Sequence, residues 1–182
     1  MTPRGFHALS LVFTLVAALS FAASLSAQVT KSDRPGIRNF SRVDATVGCG
    51  GAVDPSAMAG LKKDGFVSVI NLRTAGEAGA EIEASRAAAQ AAGLKYIHLP
   101  FNGANPDPKV LDDFLGAVAD KSNQPVFVHC ASASRVGAAW MVKRVLQDGW
   151  ALDRAKAEAE AIGLASPQLA AFATDYINSH KR

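Results

Sequence analysis

The sequence predicts an α/β domain with a central, mostly parallel sheet and helices on both faces, and three observations carry that prediction. Short β-branched runs alternate with longer, alanine-rich stretches. Cap and turn residues punctuate nearly every boundary between them. No repeat or low-complexity linker breaks the alternation, which favours strand–helix–strand crossovers over separate all-β and all-α regions.

The first residues stand outside this pattern. Residues 1–10 carry Arg4 and His7 and no acid, residues 11–25 read LVFTLVAALSFAASL, and the next charges are Lys31, Asp33 and Arg34. A basic start, an apolar run of roughly 15 residues and a small-residue exit describe a secretory signal peptide. A bilayer span would need about 20 apolar residues. Residues 1–27 are therefore expected to be a signal that sends the chain to the periplasm or the medium, leaving no stable membrane anchor. The remainder, about 155 residues, is enough for one domain with a proper core. Residues 28–39 read as a flexible lead-in and residues 40–182 as the domain. The formal charge is +3, one unit of it from Arg4. So small and scattered an excess gives no reason to invoke nucleic acid. Oligomeric state is left open.

Within the domain, residues 40–47 alternate loosely and suit a first strand. Asp54-Pro55 is a cap followed by proline in the first helical turn, and Gly65 closes that helix. Residues 66–72, FVSVINL, make a buried strand. Residues 77–92 are alanine-rich with Gly93 at the C′ position, and should be helical. Residues 95–99 form another strand, followed by a long loop through Asn102-Gly103-Ala104-Asn105-Pro106. Asp107 caps a helix over residues 108–121. The last strand is PVFVH, residues 125–129. Helices over residues 136–147, 152–162 and 167–179 complete the chain. Trp140 and Trp150 fall at core-facing positions. In such sheets ligands bind beyond the carboxyl ends of the strands, and Cys130 sits at one of those ends.

The chemistry concentrates in His129-Cys130-Ala131-Ser132-Ala133-Ser134-Arg135, between that strand and the next helix. Loop amides can turn toward one point, and the following helix aims its positive dipole end there. Arg135 adds a planar fork of donors suited to a tetrahedral oxyanion. The field that attracts an anion also favours a thiolate, so Cys130 is expected to be a nucleophile facing an anion-binding bowl. His129 is placed to orient the loop or merely to end the strand. The second cysteine, Cys49, lies in Gly48-Cys49-Gly50-Gly51, a glycine-rich turn that could bring it to Cys130 as a reversible disulfide partner or a site-shaping neighbour.

The stretch PVFVHCASASRVGAAW resembles the signature loop of cysteine-dependent, protein-tyrosine-phosphatase-like enzymes. AVDPSAMAGLKKDGFVSVINLR followed by AAGLKYIHLP is similar to the bacterial phosphatase-like domains also found fused to β-lactamase-like hydrolases or NAD kinases. The resemblance runs over residues 47–164. It implies a three-layer α/β sandwich of cysteine-phosphatase type and a tyrosine or dual-specificity phosphatase activity without cofactor or metal. It also implies Cys130 as nucleophile forming a thiophosphate, Arg135 as phosphate clamp, and the amides of residues 131–135 as cradle. By the same resemblance Arg73 helps shape the site, with Glu77 or Glu81 as its partner. The resemblance places the family's general acid near Asn102, which cannot donate a proton, so Asp107, the nearest carboxylate, is the candidate acid.

Three departures from the family loop bear on the reaction. Four residues separate Cys130 from Arg135 where the usual loop has five. No glycine eases the turn. Val136 follows the arginine in place of Ser or Thr, leaving Ser132 or Ser134 to supply that hydroxyl. A four-residue interval also resembles the loop of rhodanese-type sulfurtransferases. The substrate is thus expected to be a phosphorylated compound or a sulfur donor handled through a Cys130 persulfide. The third reading is an inactive module that binds a phosphorylated ligand.

Overall fold

The computed structural model describes residues 29–181, so the signal-peptide expectation for residues 1–27 lies outside the described residues. Among the described residues, six strands form one sheet in the order β1-β2-β3-β6-β4-β5. They are β1 (Thr30–Lys31), β2 (Ser41–Arg42), β3 (Val47–Gly50), β4 (Ser68–Asn71), β5 (Lys95–His98) and β6 (Val126–His129). The two pairings among β1, β2 and β3 are antiparallel, whereas β3–β6, β6–β4 and β4–β5 are parallel. Helices α1 (Met58–Lys63), α2 (Ile82–Ala91), α3 (Lys109–Ala119), α4 (Ser134–Leu146), α5 (Leu152–Ile162) and α6 (Pro167–His180) cover it. This is the mostly parallel three-layer arrangement that the sequence predicts.

The period-2 alternation of the strands sorts the two layers. Val47, Cys49, Ile70, Leu72, Val126 and Val128 pack into the layer of α3 to α6. Val69 and Phe127 face the other way, with Phe40, Phe66 and the apolar sides of α1 and α2. Phe127 anchors that smaller core, stacked on Phe40 at 5.7 Å and meeting Phe66 edge-on at 5.6 Å, contacts worth about 0.5–1.5 kcal/mol each beyond burial. Helix α4 is buried on nearly all sides, as a helix between a sheet and two further helices must be. Gly137 permits this, since a Cβ there would lie 2.7 Å from the Ala159 carbonyl oxygen. Trp140 is fully buried and donates its indole N–H to Glu158 at 2.8 Å, and Glu158 also holds the buried Arg144.

Several boundaries differ from expectation. Residues 40–47 are not one strand. The Asp44 carboxylate accepts from the Thr46 amide at 2.8 Å and the Val47 amide at 3.1 Å, turning the chain so that β2 and β3 pair as a hairpin. The described part of residues 28–39 is not a loose lead-in but belongs to the domain. β1 pairs with β2, Ile37 bridges to Val53, and the Arg38 amide donates to Ala52 at 2.9 Å. Helix α2 begins at Ile82 rather than at residue 77, because the chain before it winds around the side chains of Arg73 and Glu77. Asp54 accepts from the Ser56 amide at 2.8 Å, but its proline opens a 3-10 turn that only then leads into α1.

Candidate active site

The register of the three central strands aligns Gly50, His129 and Asn71 at one edge of the sheet. Cys130 leaves the sheet there, between β3 and β4, and is almost fully buried. Residues 131–133 cross to α4, which starts at Ser134. The loop is held from outside through its carbonyls. The Ala52 amide donates to Ala131 O at 2.9 Å, and the Asn39 side-chain amide to Ser132 O at 3.2 Å. The first amide after Cys130 to find a partner among the described residues is that of Gly137, 2.9 Å from Ala133 O. Among the described residues the amides of Ala131 to Arg135 donate to no protein acceptor. Outward carbonyls and unused amides at a helix N-terminus constitute an anion nest.

Ala133 makes the turn with φ at 77°, the left-handed region that glycine enters without strain. The missing glycine noted in the sequence therefore has a structural counterpart at a defined position. The methyl group is accommodated because Gly163, at the end of α5, has no side chain against it: a Cβ there would stand 2.9 Å from Ala133 Cβ.

Arg135 lies in the first turn of α4, mostly buried. Its Nη1 donates to Leu72 O at 3.2 Å, Phe101 O at 2.8 Å and Glu77 Oε1 at 2.6 Å, and its Nη2 donates to Glu77 Oε2 at 2.8 Å. The guanidinium has five N–H groups. This bonding leaves Nε–H and one Nη2–H, the opposite edge of the fork, and the Cys130 sulfur interacts with the same guanidinium. Burial disfavours the Arg135 charge, but the Glu77 hydrogen bonds and the interactions with Cys130 and Glu77 outweigh it and raise the pKa.

Glu77 joins this arginine to a second one. Arg73 Nε donates to Glu77 Oε2 at 3.2 Å while its other nitrogens reach Gly79 O and Ala78 O at 2.6 Å each. The Thr74 amide adds a bond to Glu77 Oε1 at 2.7 Å. Burial alone would raise the Glu77 carboxyl, yet the bonds from Arg135, Thr74 and Arg73 hold it down at about 2. The pairing of Glu77 with Arg73 is the one the sequence suggests. Its link to Arg135, 58 residues away, is set by the sheet order, and no local spacing rule could reveal it.

Other expected site residues are placed as follows. Ser134 turns its hydroxyl away from the bowl and accepts the Ala165 and Ser166 amides at 3.2 and 3.3 Å, so it contributes backbone rather than a hydroxyl. Ser132 is exposed at the loop crest. His129 does not orient the loop through its ring: both ring nitrogens are buried without a hydrogen-bond partner, and the ring stacks on Phe127 at 6.1 Å. Burial, aided by the charges of Arg73 and Arg135 and partly opposed by nearby backbone of Cys130 and Gly51, lowers its pKa to about 4. Cys49 lies in β3 opposite Val128, in the strand itself rather than in a glycine turn. Both cysteines are free thiols. Burial, reinforced by Glu158, Asp44 and Cys130 and opposed by Arg144, pushes the Cys49 thiol pKa up. Asp107 is exposed, and its carboxylate accepts the Lys109 amide at 2.9 Å in the turn that opens α3. Asn102 likewise uses its side-chain oxygen locally, on the Ala104 amide at 3.0 Å.

A family model described as "Beta-lactamase hydrolase-like protein, phosphatase-like domain" matches residues 39–147, more than half of the chain. The chain belongs to that family. This phosphatase-like domain includes the whole constellation of Glu77, Cys130 and Arg135, while α5 and α6 follow the matched stretch. No curated protein shows significant sequence similarity to it. Among solved structures, a DUF442 protein of Shewanella putrefaciens CN-32 superposes with a TM-score of 0.68 at 21% identity, covering 81% of this chain and 96% of that one. TpbA of P. aeruginosa gives 0.64 at 19% identity, covering 85% and 91%. The core catalytic domain of the PP-IP phosphatase SIW14 of S. cerevisiae gives 0.64 at 20% identity, covering 76% and 85%. At these identities the likeness is one of fold, and it agrees with the three-layer sandwich.

Proposed function

We propose that this phosphatase-like domain is a cysteine-dependent phosphoric monoester hydrolase, exported by its N-terminal signal and acting in the periplasm or outside the cell. The observation that carries the reading is the free edge of the Arg135 fork beside Cys130, surrounded by the unused amides of residues 131–135. The thiolate form of Cys130 attacks phosphorus, an S–P bond forms, and the bond to the leaving oxygen breaks with its electron pair. Arg135 and the amides bind the equatorial oxygens, where charge is spread in the transition state. Water then attacks the thiophosphate, releasing inorganic phosphate and restoring the thiolate.

The absence of a carboxylate at Asn102 and the capping bond of Asp107 favour substrates whose leaving group needs little protonation. Phosphotyrosine and other aryl phosphates fit that requirement. The structural neighbour TpbA has been crystallised with pTyr, which supports the same substrate class.

The test assays the domain starting at residue 28 in parallel on p-nitrophenyl phosphate and on thiosulfate plus cyanide, with Cys130→Ser as control. Aryl phosphate hydrolysis that is lost in Cys130→Ser is the expected result. Thiocyanate formation without phosphate release would replace this reading by sulfur transfer. Phosphate binding without either turnover would leave a binding module.

A further inference from the structure

Resting on the phosphatase reading, we propose that Arg38 is a specificity residue that engages a second anionic group of the substrate, next to the phosphate bound over Cys130. The segment carrying it is fastened to the Cys130 loop directly by Asn39 and indirectly through residues 51–52. Gly51 N donates to Arg38 O at 2.7 Å, Arg38 N to Ala52 O at 2.9 Å, Ala52 N to Ala131 O at 2.9 Å, and Asn39 Nδ2 to Ser132 O at 3.2 Å. Asn39 holds this contact with φ at 52°, in the left-handed region.

Gly51 makes the close approach possible. A Cβ on it would meet Ala131 O at 2.9 Å, Arg38 O at 3.2 Å and Arg38 Cβ at 3.3 Å. Arg38 Cβ therefore stands within about 6 Å of the first loop carbonyl, and an extended arginine reaches about that far again.

The arginines nearest the loop are otherwise committed to partners. Arg135 and Arg73 share Glu77. Arg34, on the same segment, is paired with Asp64 at 3.3 Å and lies over the Phe40 ring. Arg38 is exposed, and among the described residues its guanidinium enters no ion pair, hydrogen bond or ring contact. Positioned by backbone and unspent on the protein, Arg38 supplies a cation for a carboxylate flanking a phosphorylated side chain or for a second phosphate.

The experiment compares wild type, Arg38→Gln and Arg38→Lys. p-Nitrophenyl phosphate reports the bowl alone. A phosphotyrosyl peptide flanked by glutamates is set against the same peptide flanked by glutamines, and fructose 1,6-bisphosphate against fructose 6-phosphate as competing ligands. Wild type should favour the doubly anionic member of one pair by roughly three- to tenfold at low salt, through KM or the inhibition constant, and 0.5 M salt should erase this. Arg38→Gln should abolish the preference and Arg38→Lys should keep part of it, with p-nitrophenyl phosphate turnover within about twofold of wild type in both. The pair that responds identifies the source of the second anion. Wild type with no preference in either pair, or Arg38→Gln with the preference intact, overturns the assignment while leaving the phosphatase reading standing. Absence of p-nitrophenyl phosphate hydrolysis in wild type defeats the phosphatase reading instead. Peptide affinities of Cys130→Ser and of Cys130→Ser with Arg38→Gln then still decide Arg38.

Discussion

Glu77 grips Arg135 with two bonds, from Nη1 to Oε1 at 2.6 Å and from Nη2 to Oε2 at 2.8 Å, and so fixes which edge of the guanidinium is left for an oxyanion. Two parallel bonds hold a plane as well as a point. Arg73 on the far side of the same carboxylate prevents Glu77 from following Arg135 if the latter swings. The loop preceding α2 is thereby a fixture of the site, although its residues are remote from Cys130 in the sequence.

Glu77→Gln should keep the fold and lose the alignment. kcat/KM on p-nitrophenyl phosphate is expected to fall about ten- to a hundredfold, since misplacing a clamp by an ångström costs that much. Thermal stability should fall far less than in Glu77→Ala, which strands two buried guanidiniums and costs roughly 3–5 kcal/mol. The acid limb of the stability profile adds a second readout. The folded pKa of Glu77 is depressed from 4.5 to about 2, so its contribution is complete above pH 4.5 and is lost as pH falls through 2. That limb should disappear in Glu77→Gln. Unchanged kinetics with the limb removed would reduce Glu77 to a structural ion pair.

Asp107→Asn separates capping from catalysis. With the Asp107 carboxylate on the Lys109 amide, the expected loss is about 1 kcal/mol of stability or less. Rates on a good leaving group such as p-nitrophenol and on a poor one such as an alkyl alcohol should then change equally and little. A loss of two to four powers of ten confined to the poor leaving group would instead make Asp107 the general acid.

Ala133 and Gly163 should behave as a coupled pair. Gly163→Ala places a methyl 2.9 Å from Ala133 Cβ, at a backbone φ of 144° that disfavours any side chain, and should destabilise by more than about 2 kcal/mol. Ala133→Gly alone should be near neutral, because relief of the left-handed strain offsets the lost methyl and the added chain entropy. In the double variant the steric part disappears, leaving a favourable coupling of about 1 kcal/mol in a denaturation cycle. Strict additivity would show that the two positions do not press on each other.

These elements differ in how far the sequence reveals them. The parallel core is legible because β4 and β6 are β-branched runs bounded by caps, and the Cys130 loop because its residue types converge on one chemistry. The hairpin of β2 and β3 is hidden because a single side chain, Asp44, bends what reads as one alternating run. Helix α2 starts later than its composition suggests because alanine-rich propensity at residues 77–81 is weaker than the bonds Glu77 forms with Arg73 and Arg135. Cys49 reads as a turn residue because glycines surround it. In the structure those glycines lie in and just beyond β3, and a Cβ on Gly48 would stand 2.5 Å from the Phe66 ring. Residue-local rules find capped elements and clustered chemistry. They do not find partners that only the sheet order brings together.

His129 gives the fold a second, separate pH dependence. Its ring lies against Phe127, fully buried, with neither nitrogen satisfied, and burial assisted by Arg73 and Arg135 lowers its pKa from 6.5 to about 4. The folded protein thus keeps the ring neutral while the unfolded chain takes up a proton below pH 6.5. Stability should be greatest above pH 6.5, decline as pH falls from there to about 4, and level off with respect to this group below that. The total loss is on the order of 3 kcal/mol, at about 1.4 kcal/mol for each tenfold difference in proton affinity between the folded and unfolded chain. Most of this window lies above that of Glu77, so the His129→Phe and Glu77→Gln variants tell the two groups apart. His129→Phe removes both the unsatisfied nitrogens and the proton uptake, and should equal or exceed wild type in urea stability at pH 7.5. At pH 5 it should exceed wild type by a further 1–2 kcal/mol or so. Its turnover at pH 7.5 should stay within a few-fold, because the ring makes no bond to the loop it precedes. Stability curves of wild type and variant that run parallel from pH 7.5 to 5 would mean that the ring is protonated or solvated in the folded state, and the buried neutral histidine would have to be abandoned.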